Sequence, residues 1–92
     1  MNVKEAVSVA KTYITDLLAD ETPTNVGLEE VELDEAEEYW IVTVGFSRPW
    51  DEPRNPLSAL ANGSGPRRSY KVVRISNDDG QVRSVKNREA PF

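Results

Sequence analysis

The segment Asn2–Asp20, NVKEAVSVAKTYITDLLAD, decides the fold, because its pattern is that of one amphipathic helix. Its apolar residues recur at spacings of three and four, which places them in one stripe on a helix with 3.6 residues per turn. That stripe consists of Val3, Ala6, Val7, Ala10, Tyr13, Ile14, Leu17 and Leu18. Asn2 is a favourable N-cap residue and Pro23 follows the pattern, so we predict a helix over residues 3–19 that covers a sheet.

Four later segments have the composition of β-strands, at about residues 26–33, 39–48, 69–76 and 81–86. In the second segment one set of alternate positions is large and apolar, and it should face the helix. This set is Trp40, Val42, Val44 and Phe46. In the third segment, Val73 and Ile75 should face the same way. A slip in the alternation at Glu29-Glu30 predicts a β-bulge, and 77–80, NDDG, predicts a hairpin turn.

The order of these elements predicts the fold class. Consecutive strands lie close enough in sequence to pair antiparallel, so we predict an α+β domain with one N-terminal helix on a four-stranded antiparallel meander. The 92 residues are expected to form a single domain, 1–92. Between the second and third strands lies a long loop, 48–68, which contains four of the six prolines. Loops of this length in small domains are often functional or disordered.

A helix followed by such a meander, with a long insertion in mid-sheet, resembles the cystatin-like arrangement. The stretch 70–75, YKVVRI, followed by 79–82, DGQV, is also similar to the paired C-terminal strands of small PepSY-type domains. Cystatins block cysteine proteases with a Gln-x-Val-x-Gly hairpin and a Pro-Trp hairpin. This chain lacks the Gln-x-Val-x-Gly motif, and the turn 34–38 stands where that hairpin would be. It has Pro49-Trp50, but in the mid-sheet loop rather than in the last hairpin. The resemblance implies a one-helix, curled-sheet fold and an inhibitory role.

The composition argues against several kinds of chemistry. The chain has no cysteine and no histidine, so thiolate catalysis and the commonest general base and zinc ligand are missing. No nucleophile or phosphate-loop motif occurs. We therefore expect no enzymatic activity, no catalytic residues, no metal and no cofactor. The absence of cysteine suits a reducing compartment, and no apolar run is long enough for a membrane span, so we expect a cytoplasmic protein.

Charge is distributed unevenly along the chain. Residues 1–46 hold two lysines and eleven acids, whereas residues 47–92 hold nine basic residues and five acids. An acidic surface is expected at Glu29, Glu30 and Glu32, either as a solvated strand edge that guards against aggregation or as a docking surface for a basic partner. The basic residues of the second half are Arg67, Arg68, Lys71, Arg74, Arg83, Lys86 and Arg88. We interpret them as cross-strand partners of the acids rather than as a nucleic-acid surface, which the acidic total disfavours.

Two regions are candidates for binding another protein. In the long loop, Trp and Arg are residue types that often carry binding energy. The loop candidates are Arg48, Pro49, Trp50 and Arg54. On the sheet face that points away from the helix, the candidates are Ile41, Tyr70 and Val72. The alternatives are that Trp50 caps the core and that charged side chains cover the outer face with their stems.

These residues predict a non-enzymatic protein-binding module. Its concrete form would be an immunity or inhibitor protein whose partner is a toxin, a protease or a second copy in a homodimer. A second hypothesis is a small-ligand-binding or catalytic domain with a pocket between helix and sheet, lined by Trp40, Phe46 and Tyr13. A third is a nucleic-acid-associated protein that uses the basic strands. No membrane partner is expected.

Overall fold

The architecture is one helix packed on one face of a four-stranded antiparallel sheet, as the sequence predicts. The structure is a computed structural model that describes residues 1–49 and 68–88. Its elements are the helix α1 (Val3–Leu17), a 3₁₀ turn (Ala19–Glu21) and the strands β1 (Thr24–Asp34), β2 (Tyr39–Ser47), β3 (Ser69–Ser76) and β4 (Val82–Asn87). The strands lie in the order β1-β2-β3-β4, and every neighbouring pair is antiparallel.

Helix α1 begins where its capping residue predicts. Asn2 has extended backbone geometry, and its Oδ1 accepts a hydrogen bond from the backbone N–H of Glu5 at 2.9 Å. This bond satisfies one of the amide groups that lack a partner in the first turn. At the other end the helix stops at Leu17, and the chain turns through the 3₁₀ segment before β1. Of the two last predicted residues of the helix, Leu18 is therefore the C-cap and Ala19 begins the turn.

The buried side of α1 is narrower than the predicted stripe. Ala6, Ala10 and Ile14 are fully buried, and they follow one another at intervals of four residues along a single ridge. Val3, Tyr13 and Leu17, which the stripe included, are 44%, 41% and 55% exposed. The prediction was wrong for these three, because a helix lying on one sheet buries only the line of side chains that faces it. Two small alanines on that line let the helix approach the sheet closely.

Strand β2 supplies the centre of the core. Val42, Val44 and Phe46 are fully buried beneath α1, as their alternation predicts, and Trp40 packs at the edge of the same cluster. Val73 and Ile75 of β3 complete the buried set. Apart from Trp40, these side chains are completely buried, so the core below the helix is filled.

Strand β1 follows an irregular path along β2. Its register shifts between Leu28 and Glu30, where the slip in alternation predicts a bulge, and again between Thr24 and Gly27. The shift between Leu28 and Glu30 places one extra residue in β1, so alternate side chains exchange faces of the sheet at that point. Val26 and Val31, five residues apart, therefore both pack against the core. β1 therefore keeps its apolar side on the helix despite the break in the sequence pattern.

The β3–β4 hairpin turn forms over the predicted residues. Gly80 has a φ of +70°, the left-handed conformation that glycine adopts without strain. Asp79 Oδ1 accepts a hydrogen bond from the backbone N–H of Gln81 at 2.9 Å, and its Oδ2 lies 2.6 Å from Arg83 Nη2. The bond from Gln81 lowers the pKa of Asp79, and the charge of Arg83 contributes in the same direction.

Replacing Ile14 with alanine tests the ridge. We expect the free energy of unfolding to fall by about 2–4 kcal/mol, because the substitution leaves a cavity in a filled core. Leu17→Ala is the matched control on the same helix, and it should change stability by less than about 0.5 kcal/mol. Urea denaturation followed by circular dichroism measures both. Equal losses from the two variants would contradict the placement of the ridge.

The turn generates a prediction about pH. A carboxyl group whose pKa is lowered by folding stabilises the native state above its unfolded-state pKa, and that contribution disappears as the pH falls through the folded-state pKa. We expect an NMR titration to give Asp79 a lower pKa in the protein than in a peptide of residues 76–83. In Arg83→Gln the pKa should rise yet stay below the peptide value, since the bond from Gln81 persists. A protein value equal to that of the peptide would contradict the turn geometry.

Candidate functional site

The candidate site is the sheet face that points away from α1, which we call the outer face. Within the described residues no helix lies on it. Register pairs Ile41 with Arg74, Thr43 with Val72 and Gly45 with Tyr70 across β2 and β3. The structure thus brings together the three predicted outer-face residues, and each of them is half-buried.

Charge changes sign across the outer face. One row runs from Glu30 on β1 through Thr43 and Val72 to Lys86 on β4, so that it begins with an acid and ends with a cation. The next row begins with Glu32, opposite Ile41, and ends at Ser84. The acids of β1 therefore form one rim of the face, and Lys86 on β4 forms the opposite, basic rim.

Three arginine–glutamate pairs span the strands between these rims, and we call them the straps. They join Arg68 to Glu29 at 3.3 Å, Arg74 to Glu37 at 3.3 Å and Arg88 to Glu30 at 3.7 Å. The strap from Arg88 to Glu30 links the two edge regions of the sheet, about 14 Å apart at normal strand spacing. The straps confirm the interpretation as cross-strand partners of the acids for Arg68, Arg74 and Arg88, whereas Arg83 pairs with Asp79 of its own hairpin and Lys71 donates to Asn87. Each pair is partly exposed, so each contributes at most about 1 kcal/mol to stability.

A pair of glycines makes room for one strap. Gly27 and Gly45 lie opposite each other on β1 and β2. A Cβ added to Gly45 would come within 2.6 Å of Glu29 Oε1 and 2.8 Å of Arg68 Nη2, whereas at Gly27 the nearest atom would be 3.8 Å away. The bare backbone at Gly45 thus provides the trough in which the Arg68–Glu29 ion pair lies.

Arg48, a predicted partner-binding residue, makes several contacts within the chain. Its Nη1 donates to Glu21 Oε1 at 2.7 Å, its Nη2 donates to Ser69 Oγ at 2.8 Å, and its guanidinium lies 5.4 Å from the centre of the Phe46 ring. The side chain ties the 3₁₀ turn to the first residue of β3. Pro49 is exposed beyond it.

Two other candidates of the long loop, Trp50 and Arg54, lie outside the described residues, and so does Arg67. The alternative in which Trp50 caps the core lies outside them as well. Trp40 packs beside the core and donates its indole N–H to Asn77 Oδ1 at 2.8 Å. The pocket hypothesis finds no support at Phe46, because this ring is fully buried in the filled core. Tyr13 lines a shallow groove on the helix surface instead.

Three arginines meet at the end of the sheet where β3 begins. They line a cleft of about 350 Å³, which we call the arginine cleft. Its lining residues are Arg48, Arg68, Ser69, Tyr70, Asn87 and Arg88. Sequence reasoning missed this cleft, because it assigned Arg48 to the long loop and placed Arg68 and Arg88 among the basic residues of the second half. The predicted antiparallel pairing could have revealed the cleft, because it places the end of β2, the start of β3 and the end of β4 side by side.

Glu29 and Glu30 of β1 pair with separate arginines, Arg68 and Arg88, while Glu32 lies further along the strand. In residues 1–49 and 68–88 no three acidic side chains come together as metal ligands. No described helix has the length and apolarity needed to cross a bilayer.

Replacing Gly45 with alanine tests the trough. The new methyl group should displace the mobile ends of Arg68 and Glu29 and so break their ion pair. A double-mutant cycle with Arg68→Gln and Glu29→Gln should give a coupling of up to about 1 kcal/mol in the wild-type background and none in Gly45→Ala. Gly27→Ala, on the facing strand, should preserve the coupling. A coupling that survives Gly45→Ala would show that the strap lies elsewhere.

Comparisons of the chain with protein-family models, with curated proteins and with solved structures found no match. The cystatin-like and PepSY-type resemblance therefore stays a prediction from the sequence pattern, while the α+β arrangement stands on the structure.

Proposed function

We propose that this domain is a non-enzymatic protein-binding module that docks through its outer face. The observation that carries the proposal is the composition of that face. Half-buried Ile41 and Val72 lie on its two central strands and Tyr70 lies towards the end where β3 begins, while an acidic and a basic rim flank them. An apolar centre with a polar rim is the usual anatomy of a protein interface.

The charges favour a second copy of the chain as the occupant. When two outer faces meet across a two-fold axis parallel to the strands, each β1 lies over the partner's β4. Glu30 of one copy then faces Lys86 of the other, and the reverse contact repeats it. A two-fold axis across the strands would instead place acid on acid. The polarity of the face thus selects one dimer geometry and disfavours the other.

The straps fit this role, because they are weak enough to exchange partners. The Arg88–Glu30 pair is loose at 3.7 Å, and both side chains are partly exposed. In the dimer Glu30 would exchange an internal cation for one on the partner, so little charge pairing is lost on association. Binding a toxin or a protease as an immunity or inhibitor protein stays a prediction from the sequence.

A charge-swap experiment tests the dimer. We expect size-exclusion chromatography with light scattering to show a wild-type dimer, and Glu30→Lys and Lys86→Glu should each be monomeric because like charges would meet. An equimolar mixture of the two variants should regain the dimer mass, since the reversed charges attract in the heterodimer. The matched controls are Asp16→Lys and Lys4→Glu on α1, and both should stay dimeric.

The following results of this experiment would contradict the proposal. A wild-type chain that stays monomeric at millimolar concentration would overturn the second copy as the occupant. A dimer that persists in both reversed variants, or that the helix controls disrupt equally, would overturn the outer face as the docking surface.

A further inference from the structure

We propose that the arginine cleft binds a small phosphate monoester, with the dianionic phosphate held by Arg68 and Arg88 and an apolar or aromatic group packed beside Tyr70. This inference goes beyond the proposed function and is tested separately from it. The cleft shares Tyr70 with the outer face, but its ligand is a small anion, and binding is measured on the chain itself. The cleft volume, about 350 Å³, lies within the range of small-molecule sites.

The donors of the cleft suit an oxyanion. A guanidinium presents five N–H groups in a planar fork that matches phosphate geometry. Arg68 uses Nη2 for the carbonyl of Asn25 at 3.0 Å and for Glu29 at 3.3 Å, which leaves its other donors for a ligand. The side chain of Arg88 makes no hydrogen bond among the described residues, and its nearest carboxylate, Glu30, is 3.7 Å away.

The floor of the cleft is held in place by the fold. Arg48 is fixed by Glu21 and Ser69, so it supplies positive charge at a constant position. The backbone N–H of Arg88 donates to the carbonyl of Tyr70 at 3.1 Å, which sets these two residues side by side. A ligand that places its phosphate between the arginines would thus lie next to a tyrosine ring.

The positions of the other cations favour a small ligand over a nucleic acid. Arg74 lies 5.1 Å from the ring centre of Tyr39 and pairs with Glu37, while Arg83 pairs with Asp79 in the hairpin turn. Lys71 faces the helix side of the sheet and donates to Asn87 Oδ1. Arg74, Arg83 and Lys71 thus already have partners within the chain. The cations beside the cleft, its own arginines and Lys86 in the next row of the outer face, form a short cluster rather than a long track for a phosphate backbone.

The glutamates of the straps would be displaced in part by the ligand. Glu29 and Glu30 contact their arginines at 3.3 and 3.7 Å, distances that are long for a charge-assisted hydrogen bond. A dianion bound at short distance by both guanidinium groups offers stronger pairing than either carboxylate alone. Binding should therefore weaken as the pH falls towards 5, because the second pKa of a phosphate ester is about 6.

Isothermal titration calorimetry of the full chain with phenyl phosphate tests the inference. The titration is done at pH 8 and at an ionic strength fixed with sodium chloride. We expect saturable one-to-one binding. Arg68→Gln and Arg88→Gln should each weaken it at least tenfold, and lowering the pH to 5 should do the same. Tyr70→Leu should weaken binding of phenyl phosphate but not of inorganic phosphate, which separates the ester from the free anion. Arg83→Gln is the matched control and should change affinity less than twofold.

Three results would overturn the inference. These are no binding above the chloride control, an equal loss in Arg83→Gln, and tight binding of a single-stranded oligonucleotide without binding of phenyl phosphate. Each variant is first compared with the wild type by urea denaturation. Should Arg68→Gln unfold early, Arg88→Gln decides the outcome, since Arg88 lies beyond the last strand and makes no side-chain hydrogen bond among the described residues.

Discussion

Strand β2 is buried on both of its faces from Val42 to Ser47, and the other elements take their positions from it. One set of alternate residues lies under the helix, where Ala6 and Ala10 keep the backbone of α1 close. Both edges of β2 are paired, with β1 on one side and β3 on the other. A central strand of this kind loses most of its contact with water, so its neighbours must satisfy both its apolar side chains and its backbone groups.

The two faces of the sheet are covered by different means. A helix covers one face, whereas long charged side chains reach over parts of the other and bury their apolar stems there. Thr43, only 4% exposed, lies in the row that the Arg88–Glu30 strap spans. Such a covering excludes water, but it depends on Arg–Glu ion pairs, which salt and competing ions weaken. The outer face can therefore be closed in the isolated chain and still be available to a charged partner.

The sequence predicts the elements of this fold better than the contacts between them. Alternation and capping locate α1, the strands and the β1 bulge, because these features depend on residues a few positions apart. The arginine cleft joins three arginines that follow one another at intervals of twenty residues in the chain. Alternation along a single strand carries no information on contacts between residues so far apart. Periodicity also assigns Tyr13 and Leu17 to the apolar side of the helix. It carries no information on how wide a band of the helix surface the sheet buries.

The two register shifts of β1 have a consequence for the open edges of the sheet. An acidic β1 edge and a basic β4 edge would attract each other in successive copies, and a regular β1 would let such copies add without end into a fibril. Bulges break the even row of backbone donors and acceptors that strand addition requires. The irregular edge of β1 thus hinders the addition of a further strand, so charge attraction between copies does not lead to open-ended polymerisation.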